Sequence, residues 1–151
     1  MTTPQPDTDP SSDTALVDTL LQVMRNLRKH YDGKAKVMGL TMARARVITV
    51  LGRNEGISQA ELAGLLEIEA PTLKRQLDGL EADGFLERRD ADGDARKKIV
   101  FLTYKGRESE INAFARKLRS DVLDGIPPED RQRATAVLQQ MCENLTRLGA
   151  L

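Results

Sequence analysis

Between Ser58 and Gly84 the chain has room for two short helices and little else. Ser58-Gln59-Ala60-Glu61 places Ser at a helix cap and Glu three residues on, so that each side chain satisfies the other residue's free backbone N–H. That spacing predicts a helix over about 59–66. Pro71 suits the opening of a second helix, where its missing N–H costs nothing. Leu73, Leu77 and Leu80 then recur at helical spacing, and Gly84 supplies a stop. Two β-type runs follow at once, over 85–90 and 99–103. The polar segment Ala91-Asp92-Gly93-Asp94-Ala95-Arg96 between them reads as a long charged hairpin loop. A short helix, a turn, a second helix and a charged hairpin form a winged helix–turn–helix.

The flanks are helical. Val17, Leu20, Met24, Leu27 and Tyr31 step by 3, 4, 3 and 4, which predicts a helix over about 14–36, ended by Gly39. A second is expected over 40–51, with Thr41 as a cap and Ala45, Ile48 and Leu51 buried. Thr103 is placed to cap one continuous helix over about 104–123, with Ile111, Phe114, Ala115, Leu118 and Val122 inside. Gly125-Ile126-Pro127-Pro128 breaks it. A last helix over about 128–148 carries Ala134, Val137, Leu138, Met141, Leu145 and Leu148 on one side. Residues 1–13, with Pro4, Pro6 and Pro10 among polar residues, read as a disordered tail in which Asp13 caps the first helix. The expected fold is therefore mostly α with a small β-hairpin wing. One domain is expected over 14–151, with its winged core at about 40–106 and outer helices at about 14–36 and 104–150. The seams at opposite ends of the sequence, Val17, Leu20 and Met24 with Val137, Leu138, Met141, Leu145 and Leu148, suit the interface of an intertwined homodimer.

Composition excludes several classes of function. Aromatics make up 3 % of the 151 residues and Trp is absent, which disfavours a stacking platform for single-stranded nucleic acid. One Cys and one His exclude an internal disulfide and a zinc cluster, and leave Cys142 with His30 as the sole Cys–His combination. Cys142 itself reads as a buried small hydrophobe on the apolar side of the last helix. No apolar run approaches a membrane span, and residues 1–13 hold no apolar signal core, so a cytoplasmic protein without membrane contact is expected. There is no phosphate-binding glycine loop, no Ser-His-Asp order and no carboxylate pair in an apolar setting. The reading is of a protein that is not an enzyme and needs no cofactor or metal.

Zero net charge conceals local clustering. Residues 25–53 hold eight bases and one acid, residues 54–73 hold four acids and no base, and Arg96, Lys97 and Lys98 are consecutive. With Leu73, Leu77 and Leu80 buried, Thr72, Arg75, Gln76 and Gly79 fall on the other side of the second helix of the pair. That helix enters the major groove of double-stranded DNA in helix–turn–helix proteins. Arg pairs bidentately with guanine and Gln with adenine. Arg96 suits an adjacent narrow minor groove, while Lys97 and Lys98 suit phosphates. Ser58, Gln59, Pro71 and Asp94 complete the expected DNA-binding set. Arg88 and Arg89 alternate faces on a strand, so at most one of them meets the duplex.

These residues resemble a known family. The run Ile57-Ser58-Gln59-Ala60-Glu61-Leu62-Ala63, the run from Ala70 to Glu81 and the segment Gly84-Phe85-Leu86-Glu87-Arg88 are similar to the MarR family of bacterial transcriptional regulators, and closest to its SlyA-like branch. Asp94-Ala95-Arg96 followed by Leu102-Thr103-Tyr104-Lys105-Gly106 resembles the family's wing, with Ala95 where the family has a first wing arginine. The resemblance implies a homodimer, a pseudo-palindromic operator, a repressor role and release by a small ligand. A ligand pocket is expected where the first helix ends, beside His30, Met38, Met42 and Arg46. The nearby cations there suit a small aromatic carboxylate. The competing reading is a winged-helix protein-interaction module without specific DNA binding.

Overall fold

The computed structural model describes residues 10–149. The chain divides into two compact units, one ending at Ala115 and one beginning at Arg116.

The first unit opens with α1, Pro10–Val37. Of the expected tail, residues 1–9 lie outside the described residues, as do 150 and 151. Pro10 to Asp13 form the first turn of α1, so Asp13 sits inside the helix rather than capping it. Its charge there complements the positive end of the helix dipole. Gly39, at φ +70°, closes α1 as Leu40 N–H donates to the Ala35 carbonyl at 2.9 Å. Thr41 caps α2, Met42–Arg53, accepting from Arg44 N–H.

The helix pair forms as the spacing predicts. In α3, Gln59–Leu66, the Ser58 hydroxyl accepts from Glu61 N–H at 3.1 Å and the Glu61 carboxylate from Ser58 N–H at 3.0 Å. Helix α4, Ala70–Ala82, has Pro71 in its opening turn. Leu73, Leu77 and Leu80 are buried with Leu62 and Leu66 of α3 and with Val47, Ile48 and Leu51 of α2.

The wing differs from the expected long loop. Strand β2, Leu86–Ala91, and strand β3, Asp94–Leu102, are joined by Asp92-Gly93 alone, with Gly93 at φ +77°. Arg96, Lys97 and Lys98 therefore lie on a strand and not in a loop. The pairing runs from Leu86 opposite Leu102 to Asp90 opposite Lys98, then slips at a bulge before Ala91 opposite Asp94. A two-residue strand β1, Ile57–Ser58, adds to the other edge of β3, giving the order β1-β3-β2. Two residues carry no readable alternation, so the pattern of apolar residues cannot announce it.

The single helix expected over 104–123 is broken. Helix α5, Tyr104–Arg107, is capped by Thr103, and α6, Glu110–Val122, restarts after Glu108 and Ser109. Side chains supplement weak backbone donors at the break. The Gly106 carbonyl accepts from Ser109 Oγ at 2.7 Å and from Asn112 Nδ2 at 3.0 Å. Among the described residues, no buried side-chain N or O lacks a hydrogen-bond partner.

In the second unit, Arg131 donates to the carbonyls of Leu123 at 2.9 Å and Ile126 at 2.7 Å, tying the turn to the start of α7, Pro128–Leu148. Cys142 is exposed, against the expectation of burial. Leu138, Gln139 and Glu143, on the same side of α7, are exposed as well. Among the described residues, no helix is long and apolar enough to cross a membrane.

Among the described glycines, Gly106 makes the closest approach to another backbone segment. A Cβ there would lie 3.0 Å from the Phe85 carbonyl carbon and closer still to its oxygen, both backbone atoms that cannot swing away. Gly106→Ala is expected to cost about 1–3 kcal/mol of stability, as overpacking does, measured by thermal unfolding.

Candidate nucleic-acid interface

Burial of Leu73, Leu77 and Leu80 turns the opposite side of α4 outward. Pro71 and Arg75 are exposed there, and Thr72 and Gln76 are half-buried. Arg75 makes no ion pair or hydrogen bond with any described residue. Its five donors are free for an external acceptor.

Strand β3 brings a second set of cations beside the helix pair. Ser58, Gln59 and Ala60 at the start of α3, Ala70 and Leu73 at the start of α4, and Asp94 with Arg96, Lys97 and Lys98 line an open groove of about 510 Å³. Arg96 and Lys97 side chains have no described partner. Lys98 pairs with Asp90, its neighbour across the hairpin. The Asp94 carboxylate accepts from Arg96 N–H at 2.9 Å, which shapes the chain at the wing turn. Ser58 is buried and its hydroxyl is committed to capping, so it serves the groove by starting α3.

Arg88 occupies a position that the alternating strand pattern leaves open. Its guanidinium turns inward and joins three elements. Nη2 donates to Asp78 Oδ1 at 2.7 Å, Nε to Glu81 Oε2 at 3.1 Å and Nη1 to Gln59 Oε1 at 3.5 Å. The Arg88 N–H also donates to Glu81, at 3.1 Å. The wing strand is thereby braced against α4 and the start of α3. Arg89 instead lies over the Phe101 ring, 4.2 Å from its centroid, and pairs with Glu87. The sequence signal for the brace was the carboxylate pair Asp78 and Glu81, one turn apart on α4, followed by an arginine on the next strand.

The residues expected at a ligand pocket do not form one cluster. His30 lines a groove of about 650 Å³ with Lys29, Lys34 and Phe114. Met38 lines another of about 730 Å³ with Phe85, Tyr104 and Lys105. Met42 is half-buried and Arg46 exposed on α2. The expected interface seams are open in their own units. In the first, Val17 and Met24 are exposed and Leu20 is half-buried. In the second, Val137, Leu138, Leu145 and Leu148 are exposed and Met141 is half-buried.

The brace has a pH signature. Arg88 holds the Glu81 carboxyl below its ordinary range, and Lys74, then Arg88, do the same for Asp78. A carboxylate whose folded value lies below its unfolded value adds stability above the unfolded value, about pH 4. That stability is lost as pH falls through the folded value. Stability should therefore decline below about pH 4. Arg88→Met should lower stability at neutral pH and flatten part of that decline. Urea midpoints between neutral and strongly acid pH measure both effects.

Comparison with known proteins agrees with this geometry. A model of the MarR family matches residues 38–97, from the end of α1 to the wing. The crystal structure of the transcriptional regulator PA3341 is similar at 35% identity with a TM-score of 0.73, over 87% of this chain and 98% of that one. A MarR-family transcriptional regulator from Silicibacter pomeroyi matches at 28% identity and a TM-score of 0.69, over 88% and 90% of the two chains. The S. aureus MepR–DNA complex shares the fold, with a TM-score of 0.65 at 20% identity, over 84% and 95%. The chain belongs to the MarR family of transcriptional regulators and has that family's winged-helix fold.

Proposed function

We propose that this protein is a homodimeric, sequence-specific repressor that binds a pseudo-palindromic operator in double-stranded DNA. The observation that carries this reading is the set of unpaired cations on two adjoining elements. Arg75 stands free on the outer side of α4, and Arg96 and Lys97 stand free on the wing strand beside the starts of α3 and α4. In this reading α4 lies in the major groove, with Arg75 and Gln76 on base edges. Arg96 enters the neighbouring minor groove, and Lys97 and Lys98 meet phosphates. The MepR structure is a complex with DNA, which supports the assignment by fold.

Dimerisation rests on the open seams. Large apolar side chains repeated along α1 and α7 are a liability in water unless a partner covers them. A second copy does so and sets two α4 helices about one DNA turn apart, roughly 10 bp. Ligand release is the remaining part of the reading. The groove with Lys29, His30, Lys34 and Phe114 combines cations with an aromatic face, as a small aromatic carboxylate requires. Such a ligand releases DNA only if it binds the DNA-free arrangement better than the bound one.

Selection of bound sites from random duplex DNA, repeated with a panel of aromatic acids, tests the proposal. An enriched palindromic site is expected. Binding with no sequence preference and no dependence on salt would instead favour the protein-interaction module. Arg75→Ala should cost about 1–3 kcal/mol on the enriched site and relax one base pair in each half. Removal of residues 129–151 should give an aggregating chain, seen by light scattering, and a well-folded soluble monomer would refute the α7 seam as an interface.

A further inference from the structure

Gly79 is a glycine without a backbone reason. It lies inside α4, its φ is not in the left-handed region, and alanine is the better helix former. The reason is a side chain from another helix. A Cβ on Gly79 would lie 2.7 Å from the Arg44 Cζ and in collision with Nη2, because the Arg44 guanidinium crosses α4 at this residue. Nη1 donates to Asp83 Oδ2 at 3.1 Å, which holds the group in place. The Arg44 side chain is still one-third exposed, at 33%.

Position 79 is one helical turn beyond Arg75 and Gln76, on the outward stripe. Arg44 therefore adds a cation from α2 to the face of α4 that carries Arg75. It does so at the far end of the helix. In helix–turn–helix proteins the first residues of the recognition helix meet base edges. A guanidinium at the opposite end stands beside the sugar-phosphate wall.

Resting on the DNA-binding reading above, we infer that Arg44 is a phosphate-contacting residue, threaded across Gly79 onto the recognition face. Asp83 orients it and is itself neutralised, so that its carboxylate does not repel the backbone. The contact is sequence-independent and fixes how α4 is seated.

The arrangement permits a test that separates contact from support. In Gly79→Ala the new methyl meets the movable end of a flexible side chain and not backbone, so the helix stays and Arg44 is displaced. Dissociation constants on one fixed operator duplex are measured against salt concentration for the wild type, Arg44→Ala, Gly79→Ala and the double variant. Each phosphate contact contributes about 0.9 to the slope of log K against log salt. Both single variants should lose about that much per half-site, and the double variant should lose no more than Arg44→Ala alone. Gly79→Ala should keep at least the wild-type melting temperature. A wild-type slope in Gly79→Ala would overturn the inference and leave Arg44 as a strut between α2 and α4. So would weaker binding without a change of slope. A wild-type protein with no salt-dependent binding would overturn the DNA-binding reading, and this assignment with it.

Discussion

Burial of the leucine stripe on α4 is the constraint on which the candidate interface depends. Leu73, Leu77 and Leu80 are almost wholly removed from solvent. Each such burial stabilises by about 1.5–3 kcal/mol, whereas an exposed ion pair contributes about 0–1 kcal/mol. The stripe therefore decides which way α4 faces, and the charges around it adjust what is already oriented. Arg75 and Gln76 point outward because the leucines point inward.

The ion pairs act one level down. Arg88 links the wing strand to α4 and to the start of α3, and Arg107 links α5 to Glu55, whose carboxylate also accepts the Leu102 N–H at 2.9 Å. Arg107 is the main reason the Glu55 carboxyl lies below its ordinary range. These contacts join elements distant in sequence at the rim of the core. A rigid junction there matters to the proposed function, because a wing and a helix that moved independently would lose the geometry in which both could meet one duplex. Arg88 and Arg107, satisfied within the chain, thus set the frame, and Arg75, Arg96 and Lys97 beside it keep all their side-chain donors.

The second unit follows a different rule. Its helix α7 buries none of its residues within its own unit, although its sequence repeats large apolar side chains at helical spacing. Helical pattern without burial is what an interface seam looks like in a single chain. The exposed apolar residues of α1 pose the same question in the first unit, and a second copy of the chain is the occupant we propose for both.

The sequence by itself determined the elements whose causes are local. The Ser58–Glu61 capping box, the Pro71 helix start, the Leu73-Leu77-Leu80 stripe, the Thr41 and Thr103 caps and the α7 helix each depend on side chains within a few residues of one another, and each formed where its spacing put it. The outward position of Arg75 was legible for the same reason, whereas Arg96, expected in a loop, lies on strand β3. What only the tertiary structure decided depends on contacts across the chain. The hairpin closes on Asp92-Gly93 because strand pairing extends further than the apolar alternation. The helix after the wing breaks because Gly106 must pass the Phe85 carbonyl and because Ser109 and Asn112 return to it. Strand β1 exists through β3 alone. Arg88 turns inward because two carboxylates on α4 await it, and Arg44 reaches the outer face of α4 because Gly79 leaves the space. None of these can be read from periodicity, since periodicity records which side of an element is apolar and not which distant atom will stand against it.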